Sequence, residues 1–231
     1  QTGEDGVLDA MLRCIPDHVP FFVEFGVGDG SECNTRALVE LAGWSGVYFE
    51  PDDAAYGALA SRYRGSARVR CERAALTPSN VNERFAAANV PERFGVLSID
   101  VDGQDLWIWE ALDGRYQPDV VVIECNTAQR DGFVEAHGLP WSSEFSDSLG
   151  ASVGAIRTLG DAKGYDLVHV DATGVNAFLF RRGRSSAPFV GITDRTPNYS
   201  FGGGRFPPDP PRPTVRYEPG AQQRRSPSPP G

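Results

Sequence analysis

The chain has 231 residues, 40% hydrophobic and 23% charged, enough to bury one sizeable α/β core and leave a tail. Its formal net charge of −9 argues against nucleic acid as the main partner, because binding phosphates needs clustered Lys and Arg. No run approaches the ~18–20 apolar residues that span a bilayer, and Cys14, Cys33, Cys71 and Cys125 follow no zinc or disulfide spacing. These features lead us to expect a cytoplasmic protein with reduced thiols, no membrane partner and a small-molecule ligand.

Val7, Leu8, Met11, Leu12 and Ile15 share one helical face, so residues 5–15 are expected to form a helix on the sheet edge, within an N-terminal cap over 1–20. From residue 21 to about 182, strand-like runs alternate with helix-like segments, the pattern of a parallel sheet wrapped by helices. The expected strands are Phe21–Phe25, Val47–Glu50, Ala67–Arg70, Val96–Asp100, Val120–Glu124, Asp166–Val170 and Asn176–Phe180. The expected helices are Asn34–Ala42, Asp53–Tyr63, Asn80–Ala88, Gln104–Leu112 and Ser148–Lys163, several followed by a stopping glycine such as Gly43, Gly65 or Gly164. Only Asp171–Val175 joins the last two strands, too short for a parallel crossover, so these form an antiparallel hairpin. The expected fold is thus α/β and Rossmann-like: a seven-stranded, mostly parallel sheet over 21–183, with a C-terminal antiparallel hairpin and helices on both faces. Residues 127–147, with His137 and Trp141, form an insertion after the fifth strand, where loops usually serve a site. Residues 184–231 are a Pro/Gly-rich tail, expected to be loosely draped or packed on the domain or on a second subunit of a homodimer.

The sharpest motif is Val23-Glu-Phe-Gly-Val-Gly-Asp-Gly30, between a strand and a helix. Glycines 26, 28 and 30 let the backbone turn sharply and approach a ligand. Three details favour S-adenosylmethionine (SAM) over a dinucleotide. Glu24 can hold an ammonium just before the turn. The Gly-x-Gly-x-Gly spacing lacks the later glycine of the dinucleotide fingerprint. Glu50 ends the next strand, where it can accept both ribose hydroxyls, although NAD enzymes place an acidic residue there too, so Glu50 alone does not discriminate. Beyond the fourth strand lie Asp100, Asp102 and Asp105, and Glu124 and Asn126 close the fifth. These oxygens suit Mg²⁺ or Ca²⁺; alternatively, the acids only cap the following helix. Asp100, Asp102 and His137 are the candidate catalytic groups, with His169 a further candidate base.

The segments 23–30, Gly46-Val-Tyr-Phe-Glu-Pro51, Leu97-Ser-Ile-Asp-Val-Asp-Gly103 and Val121-Val-Ile-Glu-Cys-Asn126 resemble the class I SAM-dependent methyltransferases, specifically FkbM-like and related small-molecule O-methyltransferases. The resemblance implies that Glu24, Gly26 and Gly28 line the methionine and ribose side and that Glu50 meets the ribose. It places the Cys71–Ala75 turn, with Ala74, by the adenine and Asp100 towards the methyl group. It also implies a cation held by Asp100, Asp102, Glu124 and Asn126, although here the last two form Glu-x-Asn and are not adjacent. The implied activity is Mg²⁺-assisted O-methylation of a saccharide or glycosylated natural product, and the Gly, Ala, Arg and Pro usage suggests an actinobacterial source. An NAD-linked oxidoreductase and a non-catalytic module with a Pro-rich recruiting tail stay open as alternatives.

Overall fold

The computed structural model describes residues 3–140, 148–195 and 213–220. In chain order the elements are α1 (Glu4–Arg13), β1 (Phe21–Phe25), α2 (Arg36–Glu40), β2 (Ser45–Phe49), α3 (Asp53–Arg62), β3 (Val69–Glu72), α4 (Val81–Ala87), β4 (Arg93–Ile99), α5 (Asp105–Ala111), β5 (Gln117–Glu124), β6 (Phe133–Glu135), α6 (Val153–Lys163), β7 (Tyr165–Val170), β8 (Asn176–Arg181) and β9 (Thr214–Arg216). Seven strands form one sheet in the order β3-β2-β1-β4-β5-β8-β7. The first five pair in parallel, while β8 is antiparallel to both β5 and β7. This is the expected sheet with its closing hairpin.

Alternating side chains of the strands feed two apolar layers. One holds Val23, Leu97, Ile99, Val121 and Ile123 with Phe85 of α4, Trp107 and Trp109 of α5, and Ile156 of α6. The other holds Phe22, Val96, Val120, Val122, Phe178 and Phe180 with Leu8 and Met11 of α1, Leu38 of α2 and Leu59 of α3. Both faces are therefore covered, which explains why the central strands read as continuous apolar runs. α1 shares its layer with residues of the central strands β4 and β5, so it lies over the face and not at the sheet edge as expected.

Local hydrogen bonds explain where the boundaries differ from the sequence reading. Ser66 Oγ accepts the amides of Arg68 and Val69, which makes 66–68 a turn and starts β3 two residues later than expected. The Ser152 hydroxyl caps α6 by accepting the Ala155 amide, and Gly164 ends it at φ 84°. Asp171 organises the β7–β8 hairpin: Oδ1 accepts the Thr173 and Gly174 amides, and Oδ2 accepts the Asn176 amide.

The two short strands β6 and β9 were not anticipated. β6 lies in the insertion and β9 in the tail, and they pair antiparallel from Phe133–Arg216 to Glu135–Thr214. Part of the tail is thus built into the domain. Tyr217 is buried edge-on to Trp107, 5.6 Å between ring centroids, and its hydroxyl donates to Glu110 of α5 at 2.9 Å. The Gly220 amide donates to the same carboxylate. Trp141 and the Pro-x-x-Pro segments at 207–211 lie outside the described residues. Replacing Tyr217 by Ala is expected to destabilise the protein by about 2–4 kcal/mol in urea unfolding, through lost aromatic packing and the loss of one of the two hydrogen bonds to Glu110.

Candidate active site

The sheet changes direction of winding between β1 and β4, the neighbours at its centre, and open α/β sheets bind ligands beyond such a point. The glycine turn leaves β1 here. Gly26 has φ 80°, and a Cβ placed on it would sit 1.3 Å from the Asp100 carbonyl oxygen. Its amide donates to Phe49 O, and the Asp100 amide donates to Phe25 O, so the three strand ends are fastened together. Gly28 differs: at φ 56° its missing Cβ would face open space.

Glu50 connects this turn to the end of β2. Its Oε2 accepts the Gly28 amide at 2.7 Å and its Oε1 accepts the Asp52 amide at 2.8 Å, leaving each oxygen a lone pair. Ala74 follows β3 and donates its amide to the Glu50 carbonyl, so it stands beside the same strand end.

Glu24 requires a correction. Its carboxylate is 2% exposed and accepts four hydrogen bonds, from the amides of Asn34 and Thr35 and the hydroxyls of Thr35 and Ser98. All its acceptor positions are filled within the protein, so it anchors the start of α2 and does not offer an oxygen to a ligand's ammonium. The carboxylate also shortens α2, because it satisfies the Asn34 and Thr35 amides outside the helix.

Asp100, Asp102 and Glu124 do converge: each offers one carboxylate oxygen, and these lie within 4.8 Å of one another. Burial, then the negative charges of Asp105, Asp102, Glu24 and Glu4, holds the Asp100 carboxyl well above the usual range. Burial and the Asp100 charge do the same to Glu124, partly offset by the Asp102 amide donating to it. Glu124 Oε2 is buried without a hydrogen-bond partner. Asp105 does not cap α5 as weighed from sequence, since it is the helix's first residue and the helix start has no side-chain cap bond; it accepts the amides of Val101 and Gly103, shapes the loop that puts Asp102 at φ 55°, and is pushed by burial up to about 6.

Three expected participants are elsewhere. Asn126 Oδ1 accepts the Ala128 and Gln129 amides and its Nδ2 donates to Leu149 O, so it holds the loop after β5 and has no lone pair left for a cation. His137 is exposed, edge-on to Trp107 at 5.4 Å, and is not among the described residues that share the acidic cluster. His169 sits on the outermost strand β7, where its Nδ1 accepts the Ile192 amide. Two residues that the sequence reading left out stand close by. Glu4, buried at the start of α1, acts on Asp100, and Asn176 of β8 pairs in register with Glu124. Strand parity was the available signal for Asn176, since it alternates with Phe178 and Phe180 towards the α1 face.

No family model matches the chain, and no curated protein matches it. Solved structures do. The N-terminal domain of EvdMO1 with SAH bound is 14% identical, covers 78% of this chain and 82% of its own, and superposes with a TM-score of 0.51. The same domain in the presence of SAH and D-fucose gives 14% identity, 80% and 84% coverage, and 0.50. Magnesium protoporphyrin IX methyltransferase from Synechocystis PCC 6803 with bound SAM is 10% identical, covers 76% of each chain and gives 0.46. The fold is that of the class I SAM-dependent methyltransferases.

The geometry separates the two glycines. Gly26→Ala should cost more than about 3 kcal/mol in urea unfolding or prevent folding, because a backbone carbonyl blocks the new Cβ. Gly28→Ala should cost only the left-handed backbone strain, about 1–2 kcal/mol. The raised carboxyls set a pH dependence. A carboxyl raised in the fold contributes stability below its unfolded value, and that stability is lost as pH rises through the folded value. Without divalent cations, Glu124→Gln should therefore melt close to the wild type at about pH 4 and above it by several degrees at about pH 8.

Proposed function

We propose that this protein is a SAM-dependent O-methyltransferase that methylates a hydroxyl of a small polyhydroxylated acceptor, a saccharide or glycosylated natural product, with a divalent cation such as Mg²⁺. The observation that carries the reading is the junction of two features at the β1–β4 switch point. A glycine turn tethered to Glu50 meets three converging carboxylates, one of them with an orphaned buried oxygen. One structure of similar fold was obtained in the presence of SAH and D-fucose, which fits a saccharide acceptor. An NAD-linked oxidoreductase would use Glu50 equally well, but it gives no reason for the acid trio or for the antiparallel β8 between β5 and β7.

In this reading Gly26, packed on the Asp100 carbonyl, sets the turn beside the methionine portion of SAM, Gly28 lets the backbone approach the cofactor, the free lone pairs of Glu50 accept the ribose hydroxyls, and Ala74 borders the adenine. Glu24 supports the turn from beneath. The donor set fits a hard cation, because a buried carboxylate oxygen without a partner is costly unless a positive charge or donor meets it. Asp100, Asp102 and Glu124 would hold that cation, which supplies positive charge that lowers the pKa of the acceptor hydroxyl. Asp102, half-exposed on its left-handed turn, takes the hydroxyl proton. The acceptor oxygen then bonds to the methyl carbon as the carbon–sulfur bond breaks, which leaves a neutral thioether. Positioning of oxygen and methyl group in line supplies most of the acceleration.

Two variants test the assignment. Glu50→Ala should weaken SAH binding by about 1–3 kcal/mol in calorimetry, the cost of losing charge-assisted hydrogen bonds, and an unchanged affinity removes the ribose role. Asp100→Ala should keep SAH affinity yet abolish cation-dependent methylation of sugar acceptors; normal turnover in this variant would overturn the cation's part.

A further inference from the structure

Register and parity line up a row of oxygen donors across the carboxyl end of the sheet. Ile99 of β4 pairs with Ile123 of β5, so the next residues, Asp100 and Glu124, stand side by side. Glu124 in turn pairs with Asn176 of β8. All three alternate with residues of the layer beneath α1: Asp100 with Val96 and Ser98, Glu124 with Val120 and Val122, Asn176 with Phe178 and Phe180. Neighbouring strands lie about 4.8 Å apart, so this row is short enough to share one ion.

Asn176 is 3% exposed, and its Oδ1 is buried with no hydrogen-bond partner. Glu124 Oε2, on the adjacent strand position, has none either. Two orphaned acceptors side by side in a buried site are a costly arrangement, which a donor or a cation between them would relieve. The charges acting most strongly on Asp100 come from Asp105, Asp102, Glu24 and Glu4, all acidic. A neutral amide oxygen suits such a site, because hard cations commonly take carboxylate and amide-carbonyl oxygens together.

Building on the proposed cation site, we infer that Asn176 Oδ1 is a direct ligand of the divalent cation, completing the set Asp100, Asp102 and Glu124 from the antiparallel strand β8. The hairpin is built to hold it there. The Asp171 carboxylate, buried at the turn, accepts the Asn176 amide at 2.8 Å and fixes where β8 begins. Asn126, the amide nearest in sequence to Glu124, is excluded because its oxygen already accepts two backbone amides.

The test uses Mn²⁺ calorimetry and Eu³⁺ luminescence lifetimes in H₂O and D₂O, the latter counting waters on the bound ion. Calorimetry of SAH reports that each variant is folded. The wild type is expected to bind one Mn²⁺, and Asn176→Ala to bind it at least about tenfold more weakly, with one additional water on Eu³⁺ and SAH affinity retained. Asn176→Ser, read in the same way, covers failure of the Ala variant to fold. Unchanged Mn²⁺ affinity overturns the inference. So does a weaker affinity with no added water, which would make Asn176 a positioning partner of Glu124 through its Nδ2. If the wild type binds no Mn²⁺, the cation reading itself fails, and the ligand role falls with it.

Discussion

The carboxyl end of the sheet depends on how closely the backbone at Gly26 lies against the Asp100 carbonyl. No side chain fits between them, so the end of β1 and the end of β4 are locked at a separation that only glycine permits. One contact therefore places both halves of the site, the glycine turn on one side and the acidic row on the other. Glu24 braces this junction from the α1 face by tying β1, through Ser98, to β4 and to the start of α2. Its full set of partners keeps a buried carboxylate tolerable in an apolar layer.

The acids beside this junction strain the fold in the opposite direction. Burial and mutual repulsion raise Asp100 and Glu124 well above ordinary carboxylates, a pattern that clusters where chemistry is done. Among the described residues, the Asp102 amide serves Glu124, and the Val101 and Gly103 amides serve Asp105. A structural cluster would be expected to recruit an arginine, as Asp119 does at the far end of the sheet, where Arg181 and Arg184 both bind it.

Much of this was legible in the sequence because the signals were local and periodic. The central strands announced themselves as apolar runs, and the short Asp171–Val175 link dictated an antiparallel hairpin. The gathering of Asp100, Asp102 and Glu124 was implied by the family resemblance of the strand-end motifs. Side-chain occupancy was not legible. Glu24 and Asn126 occupy motif positions that look available to a ligand, yet backbone amides of Asn34, Thr35, Ala128 and Gln129 claim their oxygens. Nor could β6 and β9 be read, since three-residue strands carry little pattern and their pairing depends on segments distant in sequence. Asn176 was overlooked because it is a neighbour of Glu124 only across the sheet, although the parity of β8 already pointed it to the right face.

The pairing of β6 with β9 also has a consequence for the order in which the molecule is made. Chains fold as they emerge from the ribosome, amino end first. The seven strands of the main sheet can assemble once Arg181 has emerged, but the insertion strand must wait for Thr214–Arg216, and Trp107 for Tyr217. The long intervening segment adds only a slowly growing entropic cost to that closure. The region over α5 is thus the last part of the domain to be completed, and a nascent chain halted before Thr214 would carry a finished sheet beneath an open roof.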